Sequence, residues 1–100
     1  MYIAMNRFQV SDELHSKFEE VWKGRDSFLH EQTGFKEFHL LRGDAENGAR
    51  EYISHSTWES KNAFLAWTES EAFRKAHSSG PSLKGVVLGP PKFTGYEVIL

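Results

Sequence analysis

The sequence predicts an α+β domain in which a four-stranded antiparallel sheet carries its helices on one face. Three observations lead there. Four stretches, at residues 2–10, 35–42, 50–58 and 93–100, are rich in aromatic and β-branched residues and bounded by turn formers, as strands are. Two others, opening at Ser11 and Ser60, repeat apolar residues at helical spacing. The two kinds interleave as β-α-β-β-α-β, the order of the ferredoxin-like fold. A chain of 100 residues has material for one core, so residues 1–100 read as one domain.

Each element has its own signal. In the first strand Tyr2, Ala4, Asn6, Phe8 and Val10 share one face and Ile3, Met5, Arg7 and Gln9 the other, a pattern for a strand partly buried on both sides. Ser11 with Asp12 and Glu13 then supplies a helix N-cap and an acidic first turn. The helix is expected to run to Thr33-Gly34, with Leu14, Phe18, Val21, Trp22, Phe28 and Leu29 on one stripe. Gly24 weakens its middle by about 1 kcal/mol relative to alanine, which allows a bend or a close approach there.

Phe35–Arg42 reads as the second strand, Gly43–Gly48 as a polar hairpin loop and Arg50–Trp58 as the third strand. Ser60 opens a short helix. Thr68-Glu69-Ser70-Glu71 has the form of a capping box, so a new helical segment is expected from Thr68 to about His77, with Trp67 and Ala72 flanking the cap. Residues 79–92 hold Gly80, Pro81, Gly85, Gly89, Pro90 and Pro91 around Val86-Val87-Leu88, which predicts a long, flexible loop. Phe93–Leu100 closes the chain as the fourth strand. In strand two, Phe38 and Leu40 lie on one face while Leu41 shares the other with His39, so the sheet is apolar on both faces. The helices suffice for one. The bare face is therefore expected to pack on a second copy, giving a homodimer, a dimeric α/β barrel.

Composition excludes several functions. With 12 basic and 14 acidic residues, a net charge of -2 and a pI near 6.2, the chain has no basic excess for nucleic acid or anionic membrane. The absence of cysteine removes disulfides, thiolate zinc sites and a cysteine nucleophile. The opening MYIAMNRFQV has no apolar run of signal or membrane length, so a cytoplasmic location is expected. Aromatic residues make up 14% of a chain whose mean hydropathy is -0.54. Such rings either fill a small core or line a flat ligand pocket.

The sequence has no G-x-G-x-x-G, P-loop, H-E-x-x-H or G-x-S-x-G motif, and His15, His30, His39, His55 and His77 have no close metal-ligand spacing, so zinc is not indicated. Asp12-Glu13 and Glu19-Glu20 read as solvated helix positions. Three residues stand apart. Asn6 shares the helix-facing parity of its strand, where an unpartnered amide costs about 1–3 kcal/mol; a backbone partner or the opposite parity would equally account for it. Trp67 lies where two helical segments meet, as a core ring or a pocket wall. His77 ends the last helix, where the dipole favours a cationic imidazole as a cap. Since the helices must cover the sheet, a cavity between the layers could have Asn6 on its floor and Trp67 and His77 on its roof.

At these residues the sequence resembles the antibiotic biosynthesis monooxygenase superfamily of dimeric ferredoxin-like proteins, and within it the IsdG-type haem-degrading monooxygenases. The resemblance covers nearly the whole chain. Its strongest stretch runs from Thr57-Trp58-Glu59-Ser60 through Phe64-Leu65-Ala66-Trp67 and Ser70-Glu71-Ala72-Phe73 to Ala76-His77, which follows the family's W-x-S…F-x-x-W…S-x-A-F…A-H pattern. Gly34-Phe35 matches the family's turn into strand two. The second tryptophan, the histidine ten residues later and an asparagine in strand one mark the haem-degrading branch, and this chain has them as Trp67, His77 and Asn6.

The resemblance implies specific roles. His77 would be the axial ligand of the haem iron, as neutral imidazole. Trp67 would press on the porphyrin and hold it out of plane, and Asn6 would donate its amide N–H to the activated oxygen. Trp22 and Arg25 fall where the family places an aromatic and an arginine near the haem, although a core ring and an exposed cation fit the pattern as well. The implied reaction opens the macrocycle with O2 and electrons from an external donor, a reductase or an ascorbate-like reductant. Iron and a linear tetrapyrrole leave, and haem is both cofactor and substrate. Two alternatives share the fold: a cofactor-free monooxygenase of a quinol or polyketide-like substrate, and a non-catalytic haem-binding protein.

Overall fold

The computed structural model describes residues 1–25, 27–78 and 83–100, the side chains of residues 77 and 78 excepted. Alternation puts Tyr2, Ala4 and Val10 of β1 (Tyr2–Ser11) under the helices, and all three are buried. β1 pairs antiparallel with β3 (Ala49–Trp58) on one side and β4 (Lys92–Glu97) on the other, and β2 (Phe35–Glu46) pairs antiparallel with β3. The resulting order, β2-β3-β1-β4, with helices over one face, is the ferredoxin-like fold.

The hairpin between β2 and β3 is tighter than expected. Asn47 and Gly48 turn the chain at φ values of 52° and 79°, as a two-residue primed turn requires. The polar stretch from Gly43 to Glu46 therefore joins β2, with a register shift between Arg42 and Ala45 that absorbs an extra residue. At the other end the fourth strand stops at Glu97.

The first helix departs most from expectation. Ser11 stays in β1 and donates its N–H to Val86 O, and its side chain caps nothing. A 3-10 turn over Asp12–Leu14 leads into α1 (His15–Gly24). The helix ends at Gly24, where Arg25 turns extended, and Phe28 at φ 58° precedes a second 3-10 turn over Leu29–Glu31. Gly24 thus marks the end of the helix rather than a bend within it. Leu14, outside α1, is exposed, while Phe18 is fully buried.

On the second half of the roof, Ser60 caps α2 (Lys61–Thr68) by accepting from the Ala63 N–H. The next cap is Ser70 rather than Thr68. Ser70 Oγ accepts from the Phe73 N–H at the start of α3 (Glu71–Ser78), whereas Thr68 is still helical and bonds back to Leu65 O. With the cap at Ser70, Trp67 and Ala72 no longer occupy its staple positions; Trp67 meets Phe73 edge-on at 5.3 Å, and Ala72 packs against the core cluster that holds Trp67.

Two clusters make the core. Tyr2, Ala4, Leu29, Trp58, Trp67 and Ala76 form one, beneath α2 and α3; Val10, Phe18, Tyr52 and Val86 form the other, beneath α1. Each large ring buries roughly 150–250 Å². Of the expected loop at 79–92, residues 79–82 lie outside the described residues. The rest docks on β1: Leu88 N donates to Gln9 O, and Val86 is buried beside Val10.

Candidate active site

The two core clusters leave a gap between them. At the middle of the sheet the helix-facing positions are small or polar, Asn6 on β1 beside Ser54 on β3, and they cannot fill the space below the helices. Above them α1 has already ended at Gly24. The result is a cavity of about 700 Å³ between sheet and helices.

Of the five residues singled out from the sequence, four line this cavity. Asn6 lines it from the floor, which accounts for an amide on the helix-facing side of a strand. Trp67 lines it from α2, only 6% exposed and braced by Trp58, stacked at 6.4 Å, and by Phe73. Trp22 and Arg25 line it from the end of α1. Arg25 lies with its guanidinium carbon 4.5 Å from the centroid of the Trp22 ring, a cation–π contact. Partial burial lowers its pKa, because the charged form loses water. The break at Gly24 is what brings Arg25 here; a continued helix would carry it elsewhere. His77 stands in the last turn of α3, next to the cavity-lining Ala76, and its side chain lies outside the described residues.

The remaining walls are mostly apolar, including Phe38, Phe64, Phe93 and Leu83. Leu83 and Pro91 bring the described part of the 79–92 segment to the rim. A space of this size, apolar with a few converging polar groups, falls within the about 300–1,000 Å³ of small-molecule and cofactor sites. It suits a large, mainly apolar ligand.

The model of the family described as antibiotic biosynthesis monooxygenase matches residues 1–79. The chain belongs to the antibiotic biosynthesis monooxygenase family. A heme-degrading monooxygenase of Shouchella clausii is 34% identical to this family member over 87 residues, which span 86% of this chain and 77% of the relative. A staphylobilin-producing heme oxygenase of Staphylococcus saprophyticus is 26% identical over 88 residues, covering 84% and 80%. The structure of the heme degrader MhuD from Mycobacterium tuberculosis, with two hemes in its active site, superposes with a TM-score of 0.77 at 24% identity, covering 100% of this chain and 97% of that one. This likeness extends the fold assignment over the full chain.

Sequence reasoning missed one polar cluster in this monooxygenase. Glu19, expected to be solvated, accepts a hydrogen bond from the Tyr52 hydroxyl at 2.5 Å and one from Arg42 at 2.9 Å. The Tyr52 bond, with help from Arg42, holds the Glu19 pKa below the usual carboxylate value. Burial and the Glu19 charge together push the Tyr52 pKa up to about 12. These residues border a second cavity, of about 610 Å³, that shares Trp22 and Phe38 with the first. Nothing local in the sequence pairs positions 19 and 52; the contact exists only because α1 packs across β3. Asp12, likewise expected to be solvated, pairs with Arg50 at 3.1 Å.

Proposed function

We propose that this chain is a haem-degrading monooxygenase, opening the porphyrin ring with O2 and electrons from an external donor and releasing iron and a linear tetrapyrrole. The observation that carries the reading is the meeting of Asn6 and Trp67 in one large cavity beside the helix that bears His77. The activities named for the two relatives support it.

The residues present fit a haem. The walls are mainly aromatic and aliphatic, which suits a macrocycle, and Arg25 supplies a cation for a propionate. When bound, haem supplies a redox-active iron and is itself the substrate. His77, in the last turn of α3, is the residue that would hold the iron. Trp67, held by Trp58 and Phe73, would press its ring against a bound macrocycle. Asn6 holds an amide N–H in a largely apolar space, where a donor stabilises charge developing on oxygen more strongly than in water. Trp22 presents its ring to the same space, and Arg25 is held over it.

The other sheet face supports a homodimer. Ile3, Met5 and Ile53 are half-buried there, while Leu41 and Tyr96 are 42% and 47% exposed, and no described helix covers them. Sedimentation at falling concentration should find a dimer; a stable monomer at micromolar concentration would refute it.

The functional test is to add haem, record the Soret band, then supply ascorbate or a reductase in air with catalase present and identify the product by mass spectrometry. Loss of the Soret band with a ring-opened tetrapyrrole is the expected result. Failure to bind haem leaves the cofactor-free alternative, and an intact spectrum leaves only haem binding. His77→Ala should weaken axial ligation sharply; unchanged coordination would remove His77 from the site.

A further inference from the structure

A chain of contacts runs along one face of α1, from this cavity toward the second one, which Trp22, Glu19 and Tyr52 border together. Trp22 lines the cavity and meets Phe18 at 5.9 Å, and Phe18 meets Tyr52 at 4.6 Å. Tyr52 is 1% exposed, and its hydroxyl donates to Glu19. Glu19 also pairs with Arg42, whose side chain is 55% exposed. An oxidisable ring in the cavity wall is therefore joined, across one phenylalanine, to a buried phenol with its own proton acceptor.

We propose that Trp22, Tyr52 and Glu19 form a one-electron relay that carries oxidising equivalents out of the cavity and ends on Tyr52. The relay rests on the proposed oxygenase reaction only for its oxidant, a one-electron oxidant derived from dioxygen or peroxide. That oxidant takes one electron from Trp22 and is reduced. Tyr52 returns one electron to the Trp22 radical cation and passes its phenolic proton to Glu19, leaving a neutral tyrosyl radical and a neutral carboxyl group. An external one-electron reductant then restores Tyr52, and Glu19 gives the proton back.

Three features set the direction. Trp22 Nε1 is buried without a hydrogen-bond partner among the described residues, and with no described base in contact to take the indole proton the radical cation stays strongly oxidising. The Arg25 guanidinium over the ring disfavours positive charge there and drives the hole onward. At Tyr52 the opposite holds: oxidation makes a phenol strongly acidic, and a carboxylate is already in place to accept the proton. A phenylalanine would fill the same core position without the cost of burying a hydroxyl. Trp67, the other cavity indole, packs on Trp58, whose Nε1 donates to Ser56 Oγ, and no tyrosine–carboxylate pair terminates that branch among the described residues.

The test needs no haem, so its failure leaves the haem reading standing, and failure to bind haem leaves the relay standing. Pulse radiolysis of the full chain with azidyl radical oxidises tryptophan, and the spectrum then follows the tryptophan radical converting to tyrosyl radical. The expected conversion is first order and independent of protein concentration. Tyr52→Phe and Trp22→Phe should each lose most of the tyrosyl product. Glu19→Gln keeps an acceptor oxygen but not the base, and should slow the conversion several-fold. Should Tyr52→Phe fail to fold, the other two variants decide the matter. Unchanged tyrosyl yield and rate in Tyr52→Phe, or in both others, would overturn the relay.

Discussion

Asn6, in the middle of β1, and Trp67, in the last turn of α2, line one cavity from opposite layers of the molecule. Neither side chain could make a site alone. The amide provides a donor in an apolar space, and the ring, wedged between Trp58 and Phe73, provides a wall that does not yield.

Replacing Asn6 by alanine should leave haem binding intact and lower the turnover rate by about 10²- to 10³-fold, the usual loss for one preorganised donor. Soret titration and single-turnover kinetics separate the two effects. Undiminished degradation would remove Asn6 from the reaction.

Trp67→Phe should keep the fold but lose part of a buried ring, at a cost of about 1–2 kcal/mol in urea unfolding. Haem bound to this variant should be flatter by resonance Raman spectroscopy and degrade more slowly. Equal distortion in both proteins would count against a packing role.

The cap of α3 gives a clean contrast. Ser70→Ala removes the acceptor for the Phe73 N–H and should cost about 1 kcal/mol. Thr68→Ala, on the other residue that the sequence offers as a cap, should change stability by no more than about 0.5 kcal/mol. Thermal or urea melts of the two variants compare them directly.

Gly34 has φ 82°, and a β-carbon there would stand 2.6 Å from Ala63 Cβ. Gly34→Ala should therefore destabilise by about 1–3 kcal/mol, since both the backbone and the start of α2 must give way. A melt unchanged from the parent would show that the turn can relax.

Ultraviolet titration should find the Tyr52 phenol ionising near 12, above the ordinary tyrosine value of about 10. Its folded pKa is raised, so the stability it contributes is complete below pH 10 and is lost as pH rises through 12. Tyr52→Phe should delete that step. Glu19 behaves in the opposite sense: its folded pKa is lowered, so its contribution is present above the unfolded pKa and fades as pH falls through the folded one.

The sequence by itself determined the order of elements, the helix-facing parity of β1 and the resemblance carried by Trp67, His77 and Asn6. Alternation and motif spacing are local, and they survive without knowledge of the partners. The extents of α1 and β2, and the cap of α3, needed the folded chain, because several residues with suitable chemistry stand close together. Ser11, Ser60, Thr68 and Ser70 can all cap a helix, and of these four only Ser60 and Ser70 find the N–H groups. Tertiary structure alone decided that α1 stops at Gly24, that Arg25 turns over Trp22 at the cavity wall, and that Glu19 meets Tyr52 under the helix. Those contacts join residues far apart in the chain, and their energy appears only once helix and sheet have docked.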